Sequence, residues 1–163
     1  MKNIIITIHL FLFLIPLFAT AQINPKSNVT LQADITTLLV IGNIGASADF
    51  DIFEIDSTNI VGTRIGVSST FGFNPEGSNN NSYTDFDGLT RLTLNGKYVD
   101  FNLCPGLTYH SASSDYKSGV YLKLNSDLKI KLAENYFGLL AKLSLSKELF
   151  LGVGIYLGYS SRN

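Results

Sequence analysis

The chain of 163 residues contains little charge and a single Cys. Asp, Glu, Lys and Arg make up 15% of it, against roughly 25% in an average soluble domain. The formal net charge of −1 excludes a nucleic-acid binder that acts through bulk basicity. No apolar run after the N-terminal segment is long enough for a transmembrane helix. The chain is nevertheless 45% hydrophobic, which excludes disorder and predicts one domain with a full core.

The N-terminal segment predicts a cleaved signal peptide over residues 1–21. Lys2 gives it a positive start, an apolar stretch covers residues 4–18, and Ala19-Thr20-Ala21 has the small-x-small pattern of a cleavage site. The apolar stretch is short for a membrane anchor, which needs about 20 residues. We therefore expect an exported mature domain over residues 22–163.

Cys104 is alone in this exported chain, so it cannot form an intrachain disulfide. An intermolecular bridge and a reactive thiol are the alternatives. We expect instead a small side chain that faces inward from a strand.

The mature chain alternates apolar residues with small or polar ones at a period of two, which is typical of strands with two different faces. Residues 119–132 show the pattern most clearly, with Leu122, Leu124 and Leu128 on one face and Lys123 and Asp127 on the other. The alternation predicts eight strands, at about 29–39, 44–55, 60–73, 84–95, 97–110, 119–132, 136–146 and 148–159. Pro105 removes a ladder donor inside the fifth strand and predicts a bulge or a local break there.

The connections between these strands also alternate in length. Short turns are predicted at 56–59, at Asn95-Gly96, which is a strong hairpin signal, and at 133–135. Long polar connections are predicted at 74–83 and 111–119, on the opposite side. The pattern predicts an all-β fold, an eight-stranded antiparallel up-and-down barrel.

The distribution of charge over the two faces favours a membrane barrel over a soluble one. The apolar face is nearly free of charge, and a Lys or Arg at mid-bilayer would cost about 2–4 kcal/mol. The opposite face combines glycines with charges of both signs, which suits a narrow lumen. We expect these charges to face the lumen: Asp34, Asp49, Asp51, Arg64, Arg91, Asp100, Lys123, Asp127, Lys129 and Lys142.

Large aromatic residues lie near the predicted strand ends, as in the aromatic girdles of membrane barrels. Phe71, Phe73, Phe86 and Tyr109 fall at one end, and Phe137 and Tyr159 at the other.

On this architecture, and on a final strand that reads LFLGVGIYLGY, the chain resembles the small outer-membrane β-barrels of Gram-negative bacteria, the OmpA/OmpX kind. It resembles more closely the outer-membrane β-barrel domain proteins of Bacteroidota. The resemblance implies a porin-like cell-envelope protein in the outer membrane, whose partners are membrane lipid and the barrel-assembly machinery. Such proteins usually end on the aromatic residue, whereas four residues follow Tyr159 here.

Two groups of residues are candidates for a catalytic or a metal site. His110 with Ser111, Ser113 and Asp115 suggests a hydrolase, but the sequence has no G-x-S-x-G nucleophile elbow. The acidic run Asp49, Asp51, Glu54 and Asp56 suggests a cation site, but its spacing matches no calcium loop, so pairing with lumen Arg and Lys is expected.

We therefore expect no catalytic, cofactor-binding or metal site. The predicted function is that of a monomeric, non-enzymatic outer-membrane barrel with a structural or surface-interaction role, whose lumen is occupied by side chains. Loops 74–83 and 111–119 are the expected contact points for an extracellular partner. The alternatives are a soluble exported barrel that binds a small apolar ligand, and an outer-membrane lipid-modifying or proteolytic enzyme centred near His110.

Overall fold

The computed structural model describes residues 24–25, 28–38, 41–56, 58–72, 82–112, 118–133 and 137–161. The signal peptide predicted over residues 1–21 lies outside the described residues. Eight long strands account for most of the described chain: β1 (Val29–Leu38), β2 (Ile41–Glu54), β3 (Asn59–Gly72), β4 (Ser82–Asn95), β5 (Val99–Ala112), β6 (Gly119–Ala133), β7 (Phe137–Leu145) and β8 (Leu149–Ser160).

The eight strands form a closed antiparallel barrel. Each strand pairs with its neighbours in sequence, and β1 also pairs with β8, from Thr30 opposite Ser160 to Thr37 opposite Val153. The barrel therefore has no open edge between its strands. This confirms the predicted eight-stranded up-and-down barrel.

The two ends of the barrel differ in the length of their connections. One end, called here the turn end, carries the connections 55–58, 96–98 and 134–136 together with the start of β1 and the end of β8. Asn24 and Pro25 also pair there with Glu54 and Phe53. The other end, called the loop end, carries 39–40, 73–81, 113–118 and 146–148.

The hairpin between β4 and β5 corrects the predicted turn. Asn95 pairs with Asp100, and the Gly96 N–H donates to the Val99 carbonyl at 2.9 Å, so the chain reverses at Lys97 and Tyr98 rather than at Asn95-Gly96. A Cβ on Gly96 would lie 2.6 Å from the Val99 oxygen, so glycine serves a close approach there. Tyr98, which alternation in the predicted strand 97–110 places on the lumen face beside Asp100, is 63% exposed because it belongs to the turn.

Pro105 interrupts the ladder between β4 and β5, as predicted. On one side of the gap the last pair is Leu89 with Gly106, and on the other side the first pair is Leu92 with Leu103. The register is the same on both sides. The break therefore adds no residue to either strand.

A bulge between Asp51 and Phe53 in β2 interrupts the ladder between β2 and β3. Val61 pairs with Phe53 just beyond this bulge and is only 8% exposed. The ladder between β3 and β4 is unbroken from Asn59 to Phe71, so Val61 keeps the face of Ile65.

Away from these points the faces are as predicted. The exposed side of the barrel is hydrophobic, with Ile65 62% and Leu122 67% exposed, whereas charged and polar side chains face inward. Phe86 and Tyr109 are exposed neighbours near the loop end, with ring centroids 6.5 Å apart, and Phe137 and Tyr159 are exposed near the turn end. Phe73 lies outside the described residues.

Glycine allows close backbone approach at the seam between β1 and β8. A Cβ on Gly154 would clash with the carbonyl oxygen of Ile35 and lie 2.7 Å from the Cα of Thr36. Gly88, in the middle of β4, has open space at the corresponding position.

We predict that Gly154→Ala destabilises the barrel by about 1–3 kcal/mol, because the seam must widen to admit the methyl group. Gly88→Ala, the matched control, should change stability by less than about 0.5 kcal/mol. Urea unfolding in detergent, followed by the loss of the fast-migrating folded band on unheated gels, measures both. Equal midpoints for the two variants would contradict the prediction.

Candidate functional site

The interior of the barrel is a buried array of charges, and it is the candidate functional site. Among the described residues, six carboxylates and five Lys or Arg side chains are buried on the inner face. They are Asp34, Asp49, Asp51, Asp85, Asp87, Asp127, Arg64, Arg91, Lys123, Lys129 and Lys142. Alternation along each strand places them inside, because the outward positions are apolar.

Arg64 on β3 connects two strands that are not neighbours of each other. Its Nε and Nη2 donate to the two carboxylate oxygens of Asp49 on β2 at 2.7 and 3.0 Å. Its Nη1 donates across the interior to Asp127 on β6. Because charged hydrogen bonds in a water-poor interior are strong and geometrically specific, this residue fixes the separation of β2 and β6 across the lumen.

Arg91 on β4 extends this network toward the turn end. It donates to Asp51, lies 3.6 Å from Asp49, and donates to the Thr93 hydroxyl at 2.9 Å. Thr93 in turn donates to the Asn102 amide oxygen at 2.6 Å. The two arginines thus share the carboxylate of Asp49.

A second cluster lies near the loop end, where β4, β5 and β6 begin or end. The Lys123 ammonium donates to Asp85 at 2.7 Å and to both oxygens of Asp87 at 2.9 and 3.0 Å. The His110 Nδ1 lies 2.8 Å from the other oxygen of Asp85. The His110 ring is fully buried, with the Tyr83 ring 4.6 Å away and the Tyr121 ring edge-on at 6.0 Å.

Between the two clusters, Lys142 on β7 donates to Asp34 at 3.1 Å and to Asn43 at 3.0 Å. Asn43 donates to Thr70 at 2.8 Å. A void of about 20 Å³ beside Asp34, Arg64 and Lys142 has room for about one water molecule.

The buried Asp side chains of the described interior outnumber the buried Lys and Arg side chains by one, six to five. The surplus carboxylate lies in the Lys123 cluster, where Asp85 and Asp87 share one Lys. The other groups contain equal numbers of both signs: Arg64, Arg91 and Lys129 with Asp49, Asp51 and Asp127, and Lys142 with Asp34.

The residues weighed for hydrolysis do not form a catalytic triad in the described chain. His110 faces inward at a strand end, as expected, and bonds Asp85, but its Nε2 has no partner among the described residues. Ser111, which was expected in the loop 111–119, lies in the strand β5 opposite Thr84. Ser113 and Asp115 lie outside the described residues.

The acidic run divides between two environments. Asp49 and Asp51 pair with lumen arginines, as predicted, while Asp56 lies in the exposed turn 55–58. There Asp56 accepts hydrogen bonds from the hydroxyl and the N–H of Thr58 at 2.7 Å and from the N–H of Asn59 at 2.7 Å. These bonds lower the pKa of Asp56 from its usual 3.8 to about 2.

No group of three or more His, Cys, Asp or Glu side chains within the described ranges is arranged to hold a metal ion. Cys104 is fully buried and faces inward, as predicted, with its thiol unbonded to another sulfur. The described part of the chain contains no helix long and apolar enough to cross a membrane.

The comparisons with known proteins concern the fold. One solved structure, the crystal structure of the N-terminal β-barrel domain of Pseudomonas aeruginosa OprF, aligns with 84% of this chain and 99% of its own, with a TM-score of 0.50 and 14% sequence identity. This chain shares that barrel fold. No protein-family model matches the sequence, and no curated protein matches it.

We predict that Lys123→Met destabilises the barrel by about 3–5 kcal/mol, because it leaves Asp85 and Asp87 buried without their ammonium partner. Lys97→Met removes a Lys from the exposed turn 96–98 and should cost less than about 1 kcal/mol. Urea midpoints in detergent compare the two. If Lys123→Met lowered the free energy of unfolding no more than Lys97→Met does, the Lys123 cluster would contribute little to the stability of the barrel.

The turn at Asp56 should respond to acid in a defined range. Because the pKa of Asp56 is lower in the folded turn than its usual 3.8, its stabilising contribution is complete above pH 3.8 and is lost as the pH falls through about 2. We expect the amide resonances of Thr58 and Asn59 to shift with a midpoint near pH 2. Asp56→Asn should abolish that transition, and a wild-type midpoint near 3.8 would contradict these hydrogen bonds.

Proposed function

We propose that this chain is an integral outer-membrane β-barrel with a structural or surface-interaction role, non-enzymatic, and with a lumen occupied by side chains. The proposal depends above all on which face of the barrel carries charge. The shared barrel fold supports the architecture. The distribution of charged and hydrophobic residues between the two faces supports a location in the membrane.

The supporting observation is that no Asp, Glu, Lys or Arg in the eight described strands is exposed: each is buried or half-buried. Large hydrophobic side chains occupy the outer face on all eight strands, as Leu31, Ile44, Ile65 and Leu151 illustrate. A soluble barrel needs the opposite arrangement, because water must wet its outer face. Only a closed barrel or a helix satisfies its backbone hydrogen bonds in lipid, and this barrel is closed.

The interior supports the occupied lumen. The Arg64 bridge crosses it, and a void of about 20 Å³ lies beside this bridge and the Lys142–Asp34 pair. A solute larger than water would have to break buried charged bonds to pass. We therefore propose that conduction is slight.

The same interior argues against a soluble carrier of apolar ligands. Such a carrier needs an apolar cavity, whereas the inner face here bears the six buried carboxylates and five buried cations described above. The enzyme alternative lacks a nucleophile bonded to His110 among the described residues. The loops 74–83 and 111–119 remain the proposed contact points for an extracellular partner, and residues 74–81 and 113–117 of them lie outside the described chain.

We predict that Ile65→Arg blocks membrane assembly, since a charge at the middle of the outer face would cost about 2–4 kcal/mol in lipid. Thr30→Arg, which places the same side chain on the inner face at the turn end, is the matched control and should assemble. Outer-membrane fractionation and the heat-dependent gel shift measure both. Recovery of the wild-type protein in the soluble periplasmic fraction, or equal assembly of both variants, would overturn the proposal.

A further inference from the structure

The barrel contains a polar cavity at its turn end. Its volume is about 410 Å³, within the range of small-molecule sites, and it lies between the start of β1, the end of β8 and the short turns. Arg91 and Asp49 of the charged network line it, together with Lys129, Tyr156 and neutral polar side chains such as Thr30 and Asn102. The cavity is about twenty times larger than the void of about 20 Å³ at mid-lumen.

Three cations line this cavity, and two of them are held by carboxylates. Arg91 bonds Asp51 and lies 3.6 Å from Asp49. Lys131 lies 2.9 Å from Asp100 and also donates to the Asn95 side chain at 3.0 Å and to the Gly96 carbonyl at 2.9 Å. Both side chains are therefore occupied by partners of the barrel itself.

Lys129 is different. Its side chain is only 7% exposed, yet within the described chain its ammonium has no carboxylate at salt-bridge distance, and it lies 5.6 Å above the Tyr156 ring. Asp49 and Asp127, the nearby carboxylates that offset its charge, make their direct bonds to arginines. The N–H donors of this buried ammonium are therefore available to a ligand in the cavity.

The rest of the lining suits a hydroxylated molecule. Thr30, Gln32 and Asn102 supply hydroxyl and amide groups, which can donate and accept hydrogen bonds, whereas the Thr93 hydroxyl is engaged by Arg91 and Asn102. Three carboxylates also line the cavity: Asp49 is engaged by Arg64 and Arg91, Asp100 is engaged by Lys131, and Glu54 lies at the end of β2. An apolar ligand would leave these polar groups without partners, at a cost in free energy.

We infer that this cavity is a binding site for a small polyhydroxylated anion, a sugar that carries a carboxylate or a phosphate, with Lys129 as the residue that binds the charged group. The hydroxyls of the ligand bond the Thr30, Gln32 and Asn102 side chains. The inference does not depend on the membrane location of the barrel, since the cavity belongs to the folded chain alone.

The test is a titration of the full chain, refolded in detergent micelles, with glucuronate, glucose 6-phosphate and glucose, followed by the NMR amide shifts of Lys129, Asn102 and Tyr156. We expect saturable shifts with one or both anions. We expect glucose to bind about tenfold or more weakly, since it lacks a charged hydrogen bond to Lys129. The two anions distinguish a carboxylate site from a phosphate site.

Variants locate the binding. Lys129→Met should weaken anion binding about tenfold, while Lys129→Arg should retain it and Lys97→Met, outside the cavity, should not change it. Because Lys129→Met could impair folding, Thr30→Glu provides a second test, in which a resident carboxylate at the cavity wall should repel the anion. Absence of saturable shifts at millimolar anion, equal binding of glucose, or undiminished binding by folded Thr30→Glu would overturn the inference.

Discussion

The bond on which this barrel depends is the bridge that Arg64 makes between Asp49 and Asp127. These carboxylates belong to β2 and β6, which do not pair with each other, so the guanidinium ties together opposite walls. In a soluble protein the hydrophobic core would hold such walls together. Here the centre of the molecule is polar, and charged hydrogen bonds replace the apolar core.

This arrangement explains why glycine and charge share the inner face. Two arginines and three lysines need space inside a narrow barrel, and glycines such as Gly152 and Gly154 leave it free while letting neighbouring strands approach. Burial of ions without partners would be costly, and most of these ions have direct partners. Two groups with incomplete partners among the described residues, the Lys129 ammonium and the Nε2 of His110, lie toward opposite ends of the barrel.

Much of the fold could be predicted from the sequence, because alternation at a period of two determines which face each residue takes. Asp49, Arg64, Lys123 and Cys104 all face inward as expected. Tyr98 does not follow the rule, since the hairpin turn shifts the pattern there. Which carboxylate each cation bonds could not be predicted, because Asp127 lies 63 residues beyond Arg64 and their contact depends on how the strands tilt around the barrel. The cavity beside Lys129 was missed for the same reason, since strand patterns carry no information on where side chains across a lumen leave space.

The seam between β1 and β8 has a consequence for the order of events in biosynthesis. Val29 and Ser161, hydrogen-bonded across it, are separated by 132 positions, so the ring cannot close until nearly the whole described chain has left the ribosome. Until then the outer leucines and isoleucines face water without their final surroundings, and the first and last strands each expose a free edge. Such a chain is prone to aggregate before the ring closes. On the outer-membrane location proposed above, its maturation would call for a chaperone that holds it unfolded and a catalyst that joins its two edges.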